Sequence, residues 1–468
     1  MKKTKIICTI GPSCQNEKTL EEMIKKGMNV ARINFSHGTE QEHKDVINLI
    51  KKVREKLNVP LGIMLDTKGP EYRIKNFENG KIFLNAGDDF TFTTKEIVGN
   101  QKIVSVSYKN LAKEIAVGDK ILLNNGLLIF QVKKVKGSEI LCSVISGGEL
   151  SNNKSMNFPN KVFKGKYVSE QDKRDIMLGV QLGVDFIACS FVSCGQDIVD
   201  VKKILANSGA NDVQIIAKIE NQKGVDNVEE ILNCCDGIMV ARGDLGVEIE
   251  QEKLPYIQKF LIKKCLSAGK LVITATEMLE SMISNPRPTR AETSDVANAV
   301  YDGTSAIMLS GETAVGKYPT KAVETMFKIA VETEKIINYA NRFDEMKVKE
   351  NHNLDAICRA CCRLSIDTNA SAIVACSKTG RTIKQVSRFH CPCNVLGLTT
   401  DKSMFYKLSL YFGVEPLFVK DYKTLNALFD NAKQLAKDTF NLREGDKVII
   451  TGGTSNMTNT NLLKLEEL

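Results

Sequence analysis

Lys218 and Glu220 are the residues whose spacing first indicates chemistry in this sequence. They lie two positions apart at the end of the apolar run IIAKIE at 215–220. Side chains two apart on a strand point to the same face, so we expect the ammonium and the carboxylate to lie side by side. Asp244 follows the next predicted strand, and magnesium is commonly held by one or two carboxylates plus substrate oxygens. The three residues predict a magnesium site, with Lys218 placed to neutralise a transferring phosphoryl group.

Two other interpretations of Lys218 remain open from this pattern. The lysine and Glu220 could form a purely structural ion pair in the protein core, or Lys218 could form a Schiff base with a carbonyl substrate. Beside them, the sequence RGDLG at 242–246 follows a predicted strand. It predicts a tight turn at Gly243 into a short helix whose amides could hold a carboxylate.

Oxygen-bearing side chains end two further predicted strands. They are Asn34, Ser36, Asp66 and Thr67. Neutral oxygens with one carboxylate suit a hard monovalent cation better than a transition metal. The same residue types are also common loop caps, and the pattern alone leaves both interpretations open.

Short apolar strands alternate with amphipathic helices through much of the chain. The predicted strands are Lys5–Ile10, Asn29–Asn34, Leu61–Leu65, Phe186–Phe191, Gln214–Ile219, Gly237–Val240, Leu271–Thr274 and Ala306–Leu309. This number of strands predicts a (β/α)8 TIM barrel, although a doubly wound sheet also alternates. The barrel is favoured because polar and charged residues directly follow most of the strands, where barrel enzymes place their active sites.

The alternation stops in the middle of the chain and changes near its end. Residues 69–166 have short Val-, Ile-, Phe- and Thr-rich runs between glycine turns, which predicts a small all-β lid domain inserted into a barrel formed by 1–68 and 167–340. Residues 341–468 predict a separate C-terminal α/β domain with an open, mostly parallel sheet. There, Ser377–Thr382 follows a strand and opens a helix, which fits either a phosphate cradle or an ordinary helix cap.

Composition excludes several classes of protein. The 468 residues are 43% hydrophobic and 26% charged, with a net charge of +8 spread along the chain, which favours anionic small molecules over nucleic acid as ligands. No apolar run reaches the roughly 20 residues of a membrane span, and the basic start lacks a signal-peptide pattern. We therefore expect a cytoplasmic protein with reduced cysteines. The spacing of Cys358, Cys361, Cys391 and Cys393 fits no standard zinc site.

Seven motifs together resemble the signatures of the pyruvate kinase family. They are INFSHG at 33–38, LDTKGPE at 65–71, IAKIEN at 216–221, MVARGDLG at 239–246, ATEMLESM at 275–282, NPRPTRAE at 285–292 and MLSGETA at 308–314. They occur in the family's order and spacing, and the resemblance covers essentially the whole chain. It implies a glycolytic enzyme that transfers the phosphoryl group of phosphoenolpyruvate to ADP, giving pyruvate and ATP.

The resemblance also implies roles for individual residues. Lys218, Arg32 and Arg73 would contact the phosphoryl group, and Thr276 with Gly243 and Asp244 would bind the substrate carboxylate. Glu220 and Asp244 would hold Mg²⁺ or Mn²⁺, and the nucleotide site would include Asn34, His37 and Arg73. The potassium ligands would be Asn34, Ser36, Asp66 and Thr67, with Glu71 marking a potassium-dependent member.

For the C-terminal domain, the resemblance implies allosteric control and a homotetramer. The effector residues for a sugar phosphate would be Ser377, Lys378, Thr379, Gly380, Arg381 and Thr382, covered by a loop at 452–458.

Several positions depart from the family pattern. They are Asn124 and Asn125 for paired aspartates, Gln171 for lysine, Ser193 for arginine, Glu277 for glutamine and Ser305 for aspartate. Most of these changes are expected to affect lid closure and nucleotide phosphates rather than the metal-binding core. They keep open a rival hypothesis, a divergent relative that binds phosphorylated metabolites or partner subunits with little catalysis.

Overall fold

The computed structural model describes residues 1–159, 161, 163, 165–346, 353–420, 425–453 and 460–468. Most of the predicted loop at 452–458 therefore lies outside the described residues. Among the described residues, no helix is both long and apolar enough to cross a membrane.

Eight parallel strands close into a barrel. In chain order, which is also their order around the barrel, they are Lys5–Thr9, Val30–Asn34, Gly62–Asp66, Phe186–Cys189, Gln214–Ile219, Gly237–Ala241, Leu271–Ala275 and Ala306–Leu309. The first strand pairs with the last, with Lys5 opposite Ala306. This closure confirms the predicted TIM barrel and excludes the doubly wound sheet. The strands are almost entirely buried because the barrel interior and the outer helices cover both of their faces.

Helices surround the barrel and connect its strands. The α-helices are Glu17–Lys25, Glu40–Leu57, Glu170–Gln181, Gly195–Asn207, Gln222–Asp226, Val228–Cys234, Arg242–Glu248, Leu254–Ala268, Arg290–Asp302, Gly311–Ala314, Pro319–Lys335 and Tyr339–Glu345. Short 3-10 turns span Gln251–Lys253 and Glu280–Ile283. Reciprocal caps that use a serine or threonine fix where three of the helices begin, for example Thr39 with Glu42 before the second helix. Such a cap satisfies amide groups that would otherwise lack partners at the helix start.

A mostly antiparallel sheet occupies the region between the third and fourth barrel strands. Its seven strands, in spatial order, are Tyr72–Arg73, Ser155–Asn157, Lys120–Leu123, Leu128–Lys136, Glu139–Ser146, Asp89–Thr93 and Ile103–Ser105. Lys81–Leu84 and Gly148–Ser151 form a two-stranded companion, and Leu111–Glu114 is a one-turn helix. Phe90, Phe92 and Phe130 pack together in its core, as the all-β composition predicts.

The C-terminal region forms a five-stranded sheet with helices around it. The spatial order is Val414–Phe418, Asn394–Thr399, Ala372–Cys376, Lys447–Gly452 and Leu462–Glu467, and only the last strand is antiparallel. The helices are Asn353–Asp367, Arg381–Ser387, Lys402–Lys407 and Leu425–Phe440, with a 3-10 turn at Leu408–Leu410. The sequence pattern predicts only the three inner strands, at Ala372–Ala375, Val395–Leu398 and Lys447–Ile450, and misses both edge strands. Pro416 interrupts one and three charged residues lie in the other, and edge strands tolerate both features because one side is unpaired.

The N-terminal end of the barrel packs directly on the C-terminal region. Inward-facing barrel residues such as Ile7, Met64 and Ile216 belong to one apolar cluster with Cys358 and Leu410. All fourteen cysteines are free thiols, and no group of three or more potential metal-ligating side chains exists among the described residues. The opposite, C-terminal end of the barrel carries the residues of chemical interest.

Candidate active site

Lys218 lies at the centre of a buried polar cluster at the C-terminal end of the barrel. Its Nζ is 2.7 Å from Ser190 Oγ and 3.1 Å from Asp66 Oδ1, and it forms an ion pair of 3.0 Å with Glu220 Oε1. Lys218 and Glu220 are therefore on one face, as their spacing predicts. The structure adds Ser190, which directly follows the fourth strand and was missed by the sequence analysis.

Arg32 extends this cluster on the other side of Asp66. Its Nε donates to Asp66 Oδ2 at 2.7 Å, and its Nη1 donates to Thr9 Oγ1 at 2.8 Å. The result is a row of alternating charges formed by Arg32, Asp66, Lys218 and Glu220. The first three residues lie on three different strands, and Glu220 directly follows the strand that carries Lys218. All four side chains are buried, so their mutual interactions are weakly screened by solvent.

The charges in this row shift one another's titration. Burial alone would raise the pKa of Asp66, but Arg32 and Lys218 hold that pKa below its usual value. Burial would likewise lower the pKa of Lys218, but Asp66 and Glu220 raise it above its usual value. Lys218 is therefore a permanent cation. A Schiff-base lysine needs a lowered pKa to attack a carbonyl, so this result argues against the Schiff-base interpretation.

Glu220 is fully buried and only partly satisfied. Its Oε2 accepts a hydrogen bond from the amide of Phe191 at 2.5 Å. Its Oε1 lies 3.0 Å from Lys218 Nζ, but the angles do not make this contact a hydrogen bond. Burial raises the pKa of Glu220 to about 7, with Lys218 opposing the rise and Asp244 adding to it. Glu220 is thus a buried carboxylate with one oxygen that accepts no hydrogen bond, and it interacts with a second carboxylate, Asp244. This arrangement fits a divalent cation.

Thr276 lies in a strained turn next to this carboxylate pair. Thr276 and Glu277 have φ values of 68° and 53°, in the left-handed region that residues other than glycine rarely adopt. Thr276 Oγ1 accepts a hydrogen bond from the amide of Gly243 at 2.7 Å and donates to Ala275 O at 2.6 Å. The turn therefore holds the Thr276 hydroxyl against the start of the helix Arg242–Glu248.

Arg242 fixes this turn in place. Its guanidinium donates to the carbonyl oxygens of Ala275, Thr276 and Glu277, at 2.6 Å for the shortest bond to Thr276. On its other side, Nη1 forms two bonds to Asp295, at 2.8 and 2.7 Å. Strained backbone persists only where surrounding groups over-determine it. The sequence analysis gave Arg242 no role, because its partners lie more than thirty positions along the chain.

Comparisons with known proteins agree with this architecture. Residues 1–323 match the family model for the pyruvate kinase barrel domain, and residues 355–466 match that for the pyruvate kinase alpha/beta domain. The chain belongs to the pyruvate kinase family. Membership in this family makes it a phosphotransferase.

Individual relatives are similar along the full length of the chain. The pyruvate kinase of Clostridium perfringens (strain 13 / Type A) is 44% identical over 474 residues, which cover 100% of both proteins. The pyruvate kinases of Staphylococcus saprophyticus and Staphylococcus aureus (strain MRSA252) are 44% identical over 470 residues, 99% of this chain and 80% of each relative.

The four oxygen-bearing residues predicted to bind a monovalent cation lie close together at the C-terminal end of the barrel. Asn34 lies opposite Asp66 in the strand register, and its Oδ1 accepts from the amide of Ser36 at 3.1 Å. Thr67 Oγ1 accepts from the amide of Ser190 at 3.2 Å. The structure thus brings Asn34, Ser36, Asp66 and Thr67 to one edge of the Lys218 cluster.

Two residues expected in the nucleotide site lie outside this cluster. His37 is exposed in the loop after the second strand. Arg73 lies on the inserted sheet, where it forms an ion pair of 2.6 Å with Glu71 and donates to Asn153 O at 2.7 Å. Among the described residues, no hydrogen bond or ion pair joins Arg73 to Lys218.

The inserted sheet closes over one side of the site. A cavity of about 300 Å³ is lined by Glu71 and Asn125 from the sheet and by Phe191 and Asp244 from the barrel. Glu248, at the far end of the helix that begins at Arg242, accepts a hydrogen bond from the amide of Phe158 at 3.2 Å. Burial raises the pKa of Glu248 to about 7. This contact links the inserted sheet directly to the helix that carries Asp244.

The predicted effector residues lie in the C-terminal region, in the loop after the strand Ala372–Cys376 and in the first turn of the helix Arg381–Ser387. Lys378, Thr379 and Arg381 are exposed, whereas Ser377, Gly380 and Thr382 are buried. Gly380 has a φ of 71°, and a Cβ there would lie 2.4 Å from Met404 Sδ. The Thr382 hydroxyl is 2.5 Å from that of Thr460, so it is already used within the protein. The exposed side chains of Lys378 and Arg381 are therefore the cations available to bind a ligand.

The departures from the family pattern lie in the inserted sheet and at both ends of the barrel. Gln171 Nε2 donates to Asp175 at 2.7 Å, and its Oε1 accepts from Arg174 at 2.6 Å. Asn124 and Asn125 have positive φ values in a turn of the inserted sheet. The amide of Ser193 donates to Asp197, and Glu277 is exposed in the strained turn. Ser305, by contrast, precedes the last strand at the N-terminal end of the barrel, so it cannot affect the nucleotide site by contact.

Proposed function

We propose that this chain transfers the phosphoryl group of phosphoenolpyruvate to ADP, giving pyruvate and ATP in cytoplasmic glycolysis. The observation that carries the proposal is the buried row of alternating charges from Arg32 to Glu220. Phosphoryl transfer needs positioning and charge stabilisation rather than covalent catalysis by the protein. Two buried, permanently charged cations next to a carboxylate pair supply both.

Each part of the substrate has a matching group. Lys218 and Arg32 present positive charge to the phosphoryl oxygens, and Arg73 approaches them from the lid. The amides of Gly243 and Asp244 begin a helix and bind the substrate carboxylate, together with the Thr276 hydroxyl. Because these groups are preorganised, they stabilise transferring charge without further rearrangement.

Glu220 and Asp244 hold a magnesium or manganese ion. Such an ion supplies charge neutralisation to phosphoryl oxygens when it is bound. Asn34, Ser36, Asp66 and Thr67 hold potassium, and Asn34, His37 and Arg73 contact the nucleotide. The enolate left after transfer must gain a proton, for which Thr276, Ser310 and water near Glu312 remain the candidates.

The other regions have regulatory and assembly roles in this proposal. Residues 69–166 act as a lid on the barrel formed by 1–68 and 167–340. Residues 341–468 bind a sugar phosphate through Lys378 and Arg381 and contribute to a homotetramer. The match to the family along the whole chain supports these assignments.

A coupled assay tests the proposed reaction. Purified protein is given phosphoenolpyruvate, ADP, magnesium and potassium, and pyruvate is followed through lactate dehydrogenase. We expect robust turnover that falls by roughly 10²–10³-fold or more in Lys218→Met, since the loss of one preorganised donor costs that much. Lys203→Met, at an exposed helix position beside Asp200, is the control and should remain active.

Failure of the assay would favour the binding-protein hypothesis. If no nucleoside diphosphate supports turnover, with or without sugar phosphates, the proposed reaction is wrong. Binding of phosphoenolpyruvate without turnover would then point to the departures at Gln171 and Ser193, because these residues bond within the protein rather than offering cations to a nucleotide.

A further inference from the structure

A small cavity lies between the N-terminal end of the barrel and the C-terminal sheet, opposite the Lys218 cluster. Its volume is about 20 Å³, enough for one water-sized occupant. Three cationic residues line it, and no aspartate or glutamate does. Lys270 belongs to the barrel, whereas Lys384 and Arg388 come from the helix Arg381–Ser387 and its C-cap.

Two carboxylates that interact with these cations already accept hydrogen bonds. Asp355 accepts from Arg388 Nη1 at 3.2 Å and from Gln385 at 2.8 Å. Asp236 accepts from the amide of Ile215 at 2.9 Å. These two anions face three cations, so the cavity region retains an excess of positive charge.

Lys384 is the cation with the fewest partners. No hydrogen bond or ion pair of its ammonium occurs within the described part of the chain, and its Nζ lies 5.5 Å from the centre of the Tyr411 ring. Burial lowers the pKa of Lys384 to about 8, and although Asp236 opposes this, Lys407 and Lys270 lower it further. Lys270, in contrast, donates to Cys235 O at 2.6 Å.

The neutral residues of the cavity wall also offer donors. Ser305 is only 3% exposed, and its Oγ accepts from the amide of Val272 at 3.2 Å, which leaves its own hydrogen to donate. His390 is also 3% exposed, and its Nδ1 has no hydrogen-bond partner among the described residues. Burial lowers the pKa of His390 to about 3, so the ring is neutral and one of its nitrogens carries a hydrogen.

We propose that this cavity binds one small inorganic anion, of the size of chloride, which joins the barrel to the C-terminal sheet. Cations that outnumber the nearby carboxylates, together with hydroxyl or imidazole donors on an otherwise apolar wall, are the complement of such an ion. The same helix carries the predicted effector loop at its other end, so the anion ties that helix to the barrel.

Ser305 offers a direct test, because an aspartate there supplies the missing negative charge covalently. Thermal unfolding is measured for the full chain while chloride replaces gluconate at constant ionic strength. For the wild type we expect a saturable rise in the unfolding midpoint. Ser305→Asp should start at the higher midpoint in gluconate and need at least tenfold more chloride for any further rise. Ser305→Asn, the neutral control of the same size, should keep the chloride response.

Two further measurements keep the test decisive. Lys384→Met should lose the saturable response, and it replaces Ser305→Asp as the test if that variant does not fold. Crystals grown with bromide in place of chloride should show an anomalous peak in the cavity of the wild type. The proposal is wrong if the wild type shows no saturable response, if Asp and Asn at position 305 respond alike, or if the bromide peak is absent.

Discussion

Replacement of Arg242 by lysine is expected to separate positioning from charge at the active site. Arginine spans three backbone carbonyls on one side and Asp295 on the other. Lysine keeps the charge but not the planar fork, so it cannot hold both sides at once. A buried acceptor that loses its donor costs about 1–3 kcal/mol, and the two strained residues of the turn store about 1–3 kcal/mol each. Relaxation of the turn therefore offsets part of the lost hydrogen bonding.

The consequence for activity should exceed the consequence for stability. If the turn relaxes, the Thr276 hydroxyl moves away from Gly243, and a displacement of about 1 Å in a positioning group can cost up to 10²-fold in rate. We expect Arg242→Lys to lower kcat by about 10–100-fold and to raise KM for phosphoenolpyruvate, with KM for ADP unchanged. The free energy of unfolding should fall by only about 1–3 kcal/mol.

The coupled pyruvate assay and thermal unfolding measure these effects together. Arg363→Lys is a matched control, because Arg363 also forms ion pairs with aspartate, in its case Asp344 and Asp367, but its side chain is 50% exposed. That control should change stability by less than about 0.5 kcal/mol. Unchanged kinetics in Arg242→Lys, or equal loss of affinity for both substrates, would refute the positioning role.

Three more predictions concern the lid, potassium and the effector. Burial raises the pKa of Glu248 in the folded protein from 4.5 to about 7. The folded state therefore binds this proton more tightly than the unfolded state, and the stability that the proton contributes is lost as the pH rises through this window. Relative to the wild type, Glu248→Gln should gain about 1–3 kcal/mol in unfolding free energy between pH 4.5 and 7. Activity should fall steeply when sodium replaces potassium, and Glu71→Lys should reduce that dependence by placing a cation beside the site. The double variant Lys378→Glu, Arg381→Glu should lose activation by sugar phosphates while its basal turnover stays unchanged.

Each of these has a clear contrary result. A pH-independent difference between Glu248→Gln and the wild type in thermal unfolding would mean that Glu248 titrates normally. Full activity of the wild type in sodium would show that the potassium assignment is wrong. Activation that survives both charge reversals would show that the effector binds elsewhere.

Local patterns in the sequence were sufficient to predict the barrel and several residues of the candidate active site. The eight strands and the polar residues that follow them depend on short-range periodicity. The shared face of Lys218 and Glu220 depends only on the two-residue repeat of a strand. The edge strands were missed because Val414–Phe418 and Leu462–Glu467 lack the continuous apolar run of a central strand.

Only the tertiary structure decided how the charges are arranged and what they do to one another. Asp66 and Lys218 are 152 positions apart, and Ser190 joins them from a third strand. The permanent charge of Lys218, the dry carboxylate of Glu220 and the Arg242 clamp on Thr276 all depend on such distant contacts. Burial and Coulomb interactions act through space, so barrel closure had to bring these residues together before their chemistry was determined.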